Sequence, residues 1–335
     1  MIVADLTEAA LIARIRDRLP AAPSWLLVGP GDDAAVVEPE RNRVEVFTVD
    51  ALVESVHFDR AFVPPAAIGH RALAVNLSDI AAMGATPRLA LLSLVLPPPL
   101  PLDDFDGIVD GFVALAAVHR VVVAGGNITR SPGPLMIDVS VMGTVKRRQV
   151  LTRSGARPGH ELYVTGTIGA AAAGLEVLRA QGASAAGESP LVSSYRYPSP
   201  RLRMGTLISR NRAASACMDL SDGLADALLQ VAAASGVGAV VDAGALPIHP
   251  EARSWFEARG VDPVQAAVAG GDDYELLVSV APRTRRRLAA AERHGDVPLT
   301  RIGVCTPEGA VRLRRTDGNT VSEEPVAGPA FRHFR

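Results

Sequence analysis

Arg71-Ala-Leu-Ala-Val-Asn-Leu-Ser-Asp-Ile-Ala-Ala-Met-Gly-Ala85 is the stretch that decides how this chain folds. Its apolar residues are almost continuous, and the run that starts near residue 66 closes on Gly84, a residue that favours helix ends. Residues 66–83 are therefore expected to form a helix. Asp79 interrupts the apolar run, with no Lys or Arg within three residues of it. Downstream, 89–96 reads as a buried strand that stops at a Pro triplet.

Outward from there, residues 6–15 repeat at helical spacing and stop at Pro20. Short β-like runs at 34–37 and 44–49 follow the loop Val28-Gly-Pro-Gly-Asp-Asp33. Residues 105–117 read as a helix, and 121–124 and 135–145 as strands. Lys146-Arg-Arg-Gln149 and the Gly- and Pro-punctuated 153–159 form the best boundary, giving expected domains 1–150 and 151–335. Beyond it, 161–165, 237–241, 274–280, 300–304 and 311–314 read as strands. Residues 171–178, 224–234 and 282–293 read as helices, and the polar 181–189 as a surface loop. Strands and helices mix without strict alternation, the pattern of two α/β or α+β domains.

Composition narrows the chemistry. The 335 residues are 48% apolar and 4% aromatic, with net charge −2 and no basic stripe for nucleic acid. No apolar run approaches the roughly 20 residues of a membrane span. Two cysteines, Cys217 and Cys305, cannot build a disulfide framework or a thiolate zinc site, and a reduced, cytoplasmic setting fits. Of 34 Lys and Arg residues only Lys146 is lysine, and its Lys-Arg-Arg-Gln context matches no Walker A loop, kinase strand lysine or Schiff-base lysine. Phosphate handling by this chain would need another chemistry.

The aspartates suggest which. Asp32 and Asp33 follow Gly-Pro-Gly; Asp50 closes the run 44–49; Asp79 lies in its apolar segment. Asp219 and Asp222 flank Leu220-Ser221, and Asp272 and Asp273 stand between Gly270-Gly271 and Tyr274. Carboxylates in apolar surroundings without nearby cations are costly unless something neutralises them. Oxygen-only ligands select Mg²⁺ or Ca²⁺, and Mg²⁺ pairs one or two carboxylates with substrate phosphates. The plainer readings stand beside this one: Asp79, Ser221 and Asp222 as helix N-caps, and both Gly-Asp-Asp runs as ordinary turns. Gly125-Gly126-Asn127 reads as a turn whose amides could cradle an anion. Arg153 is either a phosphate clamp or a solvated linker residue, and His57 either a substrate contact or a core histidine.

In these segments the sequence resembles the thiamine-monophosphate kinase family, within the aminoimidazole-ribonucleotide-synthetase-like superfamily. The matching pieces are Gly31-Asp-Asp-Ala-Ala-Val-Val37, Thr48-Val-Asp-Ala-Leu-Val53 with His57-Phe58, and the run 71–85. Gly125-Gly-Asn127, Leu151-Thr-Arg-Ser-Gly-Ala-Arg-Pro-Gly159, Tyr163-Val-Thr-Gly166, Met218-Asp-Leu-Ser-Asp-Gly-Leu224, Gly270-Gly-Asp-Asp-Tyr-Glu-Leu276 and Phe331-Arg-His-Phe334 continue the series in the family's order.

The resemblance implies a two-domain α/β (α+β) fold of that superfamily, and a homodimer in which the N-terminal domains of two subunits pair their sheets. It implies transfer of the γ-phosphoryl group of ATP to thiamine monophosphate, assisted by several Mg²⁺ ions. Asp33, Thr48, Asp50, Asp79, Asn127, Asp219 and Asp222 match metal-ligand positions, with Asp50, Asp79 and Asp222 central to catalysis. Gly126, Asn127, Arg153 and Ser221 match ATP contacts; His57, Asp272 and Phe331 match the substrate side. Asn127 stands where these kinases often carry Asp, which predicts a weaker metal at that point. Val49 replaces a frequent Thr, and Gly328-Pro-Ala-Phe331 lacks a tryptophan some members carry. A superfamily relative acting on another acceptor, or a non-catalytic ATP-binding dimer, are the alternatives.

Overall fold

The computed structural model describes residues 1–318 and 320–326. Contacts divide the chain into two units, one of Met1–Ile80 and Thr86–Arg147, the other of Ala81–Ala85 and the chain from Arg148 onward.

The first unit carries α1 (Glu8–Arg16), β1 (Leu26–Val28), β2 (Val36–Val37), β3 (Val44–Val53), α2 (Pro65–Ala82), β4 (Thr86–Leu96), α3 (Leu102–His119), β5 (Val122–Arg130) and β6 (Met136–Val145). The last two residues of α2 belong to the other unit. Its sheet has the order β3-β6-β4-β5, antiparallel except for the parallel pair β4–β5. Between residues 71 and 82 of α2 every residue but Asp79 is buried, as an all-round apolar helix requires. Helices α2 and α3 cross almost backbone to backbone. A Cβ on Gly69 would come within 1.8 Å of the Ile108 carbonyl oxygen, and one on Gly111 within 1.9 Å of that of Ala66. Only glycine permits this approach. On the outside, Arg14 of α1 and Arg18 just beyond its end both hold Asp106 of α3.

Two expectations are corrected here. The strand expected at 44–49 continues to Val53, so Asp50 is an interior strand residue and not a strand end. Gly125-Gly126-Asn127 is no turn: β5 runs straight through it, paired Leu91↔Gly125, Leu92↔Gly126 and Ser93↔Asn127 with β4. Local composition suggested a turn, but the ladder decides the conformation. The glycines mark a close strand approach, since a Cβ on Gly126 would lie 1.9 Å from the Leu92 carbonyl oxygen.

The second unit carries β7 (Glu161–Thr165), α4 (Ala170–Gln181), α5 (Ala183–Ala186), α6 (Pro190–Arg196), α7 (Leu202–Asn211), β8 (Ala216–Asp219), α8 (Leu224–Ser235), β9 (Gly238–Asp242), α9 (Pro250–Glu257), α10 (Pro263–Ala269), β10 (Leu276–Val280), α11 (Arg285–Glu292), β11 (Leu299–Thr306), β12 (Val311–Asp317) and β13 (Thr320–Pro325). Its sheet runs β13-β12-β9-β11-β7-β10-β8, with only β12–β9 parallel. Leu162, Val164, Met218, Leu228, Val231 and Ile302 sit in its core. The stretch expected as a loop at 181–189 contains the short helix α5, because α4 continues to Gln181 before Gly182 breaks it. No described helix is long and apolar enough to cross a membrane.

Candidate active site

In the first unit the strand period sorts the candidates. Strand β3 alternates half-buried Val46, Thr48 and Asp50 with exposed Phe47, Val49 and Ala51. Thr48 and Asp50 therefore share the face that α2 covers, and the Thr48 hydroxyl donates to the Asp79 carboxylate. Asp79 lies in the last turn of α2, which excludes an N-cap role. The negative end of a helix is a poor place for a carboxylate, so the Thr48 bond gives this one a local reason to be there.

Register places the glycine-asparagine pair elsewhere. Asp50, Val139, Leu92 and Gly126 form one row across the sheet, and Ala51, Asp138, Ser93 and Asn127 the next. Adjacent rows point to opposite faces, so Asn127 shares the face of Phe47 and Val49, not that of Asp50. β3 and β5 are the two edge strands, three spacings or roughly 14 Å apart. One copy of the chain does not bring Asn127 beside Asp50. His57 sits in the turn after β3, where its Nδ1 accepts the Val53 amide at 3.0 Å. That fixes the proton of the neutral ring on Nε2, leaving a donor there. Asp33 lies on an exposed loop, its amide donating to Asp32 Oδ1 at 2.9 Å.

In the second unit the backbone gathers four candidates. β8 ends at buried Asp219, and Leu220, Ser221 and Asp222 lead to Gly223, the N-cap of α8. The N-cap position belongs to Gly223, so Ser221 and Asp222, weighed as N-caps, do not occupy it. The loop 270–275 lies directly along this turn. Asp272 donates its amide to the Ser221 carbonyl at 2.7 Å, Tyr274 to Leu220 at 3.1 Å, and Leu220 to Glu275 at 2.8 Å. Asp219, Ser221, Asp222 and Asp272 thus stand on two hydrogen-bonded segments. Arg153 is reached from α8: its Nη1 donates to Gln230 Oε1 at 2.5 Å, and Gln230 in turn donates to Asp226. Phe331 lies outside the described residues.

Around this turn the sequence names residues but not their partners, and Arg201 it does not single out at all. Arg201 holds Glu275 bidentately at 2.7 and 2.5 Å, and Thr165 donates to the same carboxylate at 2.6 Å. Asp273 accepts the Gly169 amide at 2.8 Å at the start of α4. Burial pushes its carboxyl up to about 8, against the pull of that amide bond. These partners are separated by 74 to 110 residues along the chain, and no local spacing announces them.

Among the described residues, no group of three or more His, Cys, Asp and Glu side chains forms a preassembled metal cage. The donors present are oxygens: the Thr48 hydroxyl beside the Asp79 carboxylate, with Asp50 two residues along the same face. That sparse, oxygen-only set fits Mg²⁺, which keeps waters and takes substrate phosphates as further ligands.

A fold of two mixed α/β units, the first with aspartates on a loop, inside a strand and on a buried helix, the second with aspartates at a strand end and in the turns beside it, defines the class. The chain matches the AIR synthase related protein N-terminal domain over residues 31–145 and the C-terminal domain over 157–315. It is 39% identical to the thiamine-monophosphate kinase of Escherichia coli (strain K12) across 94% of this chain and 95% of that protein. The crystal structure of the thiamine-monophosphate kinase from Stenotrophomonas maltophilia K279a is 39% identical, with a TM-score of 0.81 over 92% of this chain and 96% of that one. AaThiL complexed with AMPPCP and TMP is 31% identical, with a TM-score of 0.73 over 93% and 95% of the two chains. The chain belongs to the thiamine-monophosphate kinase family of AIR synthase related proteins, and is an enzyme.

Proposed function

We propose that this enzyme transfers the γ-phosphoryl group of ATP to thiamine monophosphate, giving thiamine diphosphate and ADP. The carrying observation is the oxygen-donor strip Thr48–Asp79 with Asp50, in a chain 31% identical to a protein solved with AMPPCP and TMP. Thr48, Asp50, Asp79, Asp33 and Asn127 of the first unit, and Asp219 and Asp222 of the second, would hold Mg²⁺. When bound, the ions neutralise charge on two phosphate groups that otherwise repel.

The remaining roles belong to side chains of the protein. Gly126, Ser221 and Arg153 contact ATP, with Gln230 steering the guanidinium. His57 offers Nε2–H to the acceptor phosphate. Asp272 supplies negative charge to a substrate whose thiazolium ring is cationic. The acceptor oxygen is already ionised near pH 7, so no general base is assigned; positioning and electrostatics carry an in-line transfer.

The assembly proposed is a homodimer formed through the sheets of the first units. Phe47 is 71% exposed, Val49 59% and Leu91 40%. All three share the Asn127 face, beyond the part that Leu26 of β1 covers with Leu89 and Met142. Pairing two such faces would bury an apolar patch that a monomer leaves wet. The test of function is product formation. ATP, Mg²⁺ and thiamine monophosphate should yield thiamine diphosphate, with ADP released in equal amount and only when the acceptor is present. ADP release indifferent to the acceptor, or no diphosphate product, would refute the assignment.

A further inference from the structure

The loop 270–275 holds an unusual conformation. Asp272 has φ +67° and Tyr274 φ +50°, both left-handed, on either side of Asp273. Aspartate visits that region with modest difficulty, but for a residue as bulky as tyrosine it is an outlier. Such backbone persists only where the surroundings over-determine it. Here they do. The Asp272 and Tyr274 amides are tied to Ser221 and Leu220. The Asp273 carboxylate turns away from both and accepts the Gly169 amide at 2.8 Å and the Ala171 amide at 3.5 Å, at the positive end of α4. Behind them Glu275 is locked by Arg201 and Thr165.

The product of this strain is a placed side chain. Tyr274 is buried, and its hydroxyl donates to Asp272 Oδ1 at 2.9 Å. A left-handed backbone at 274 carries the phenol back toward residue 272, two positions earlier in the chain. An extended strand would also put residues 272 and 274 on one face, but with side chains roughly parallel and about 7 Å apart. The twist closes that gap to a hydrogen bond.

We propose that Asp273 and Tyr274 are positioning residues for Asp272. Asp273 anchors the loop to α4, and Tyr274 fixes the rotamer and one oxygen of the Asp272 carboxylate for the acceptor. The inference rests on the assignment of Asp272 to the substrate side. It separates the two adjacent aspartates of Gly-Gly-Asp-Asp: one faces substrate, the other is committed to the fold of the loop.

Tyr274→Phe removes only the hydroxyl, and Asp273→Asn keeps shape while replacing one of the two oxygens that accept the Gly169 and Ala171 amides by an NH2 group. With the purified full-length enzyme, each is expected to raise KM for thiamine monophosphate roughly tenfold. KM for ATP should stay within about twofold, because the hydrogen bond lost serves the acceptor alone. Tyr274→Phe should melt at the wild-type temperature. If Asp273→Asn does not fold, Tyr274→Phe decides alone. An unchanged acceptor KM in Tyr274→Phe, or parallel rises for ATP and acceptor, overturns the proposal. A wild-type enzyme that ignores thiamine monophosphate overturns the function itself, a separate outcome.

Discussion

Asp50 and Thr48 sit on alternate positions of one strand, and Asp79 reaches Thr48 from the helix above. The three side chains form one oxygen-lined strip, so the loss of a single member should be felt in catalysis before it is felt in folding. Asp50→Ala is expected to reduce kcat by at least about 10²-fold, with far-UV circular dichroism and solution mass the same as wild type. Near-normal turnover at physiological Mg²⁺ would remove Asp50 from the ligand set. Asn127 invites the opposite experiment. An amide oxygen is a weaker Mg²⁺ donor than a carboxylate, so Asn127→Asp is expected to lower the half-saturating Mg²⁺ concentration severalfold. A Mg²⁺ titration of activity showing no shift would mean that residue 127 does not meet a metal. The aspartates were legible one by one because each lacks a cationic neighbour in sequence. Tyr274, Gln230 and Arg201 were not, since what marks them is a partner rather than a pattern.

Elements were legible where one face or the whole surface of a segment is apolar. The run around Asp79 announced α2 to within a residue or two at each end, because an apolar run of that length that closes on a glycine is too long for a strand. Gly125-Gly126-Asn127 misled for the complementary reason. Glycine and asparagine favour turns locally, yet pairing with β4 along the whole of β5 outweighs that preference, and no single-strand pattern reveals it. The docking of α1 on α3 is likewise a matter of partners. The Arg14 guanidinium beside Asp106, with Arg18 next to it, holds the Asp106 carboxyl below the usual carboxylate range. A carboxyl lowered in the folded state contributes stability that is fully present above its unfolded value near 3.8 and is lost as pH falls through the folded one. Asp106→Asn should therefore melt a degree or two lower than wild type at pH 7, by rough expectation for a largely surface ion pair. The gap should narrow as pH falls below the unfolded value near 3.8 and close once the Asp106 carboxyl is protonated in the folded state as well. A gap that persists in acid would show the loss to be one of shape rather than charge.

At the scale of the whole molecule the unresolved economy is that of the first unit's sheet. One face is packed by α2 and α3 and carries Asp50; the other carries Phe47, Val49 and Asn127 and is only partly covered by the β1–β2 hairpin. A phenylalanine left 71% exposed beside exposed Val49 and Leu91 forms an apolar patch whose burial against a partner would be favourable. A second copy of the chain is the partner the symmetric reading supplies, since the same face on both copies is self-complementary. Phe47→Glu places a charge in the middle of that face without touching the core of its own unit. The expected result is a monomer in sedimentation or light-scattering measurements at micromolar concentration, with native secondary structure. Because Asp50 and Asn127 lie about 14 Å apart on opposite edges and faces of one sheet, a metal served by both needs the second copy. The monomeric variant should then lose most of its activity along with its partner. A Phe47→Glu monomer that turns over normally would confine the site to one copy and release Asn127 from it.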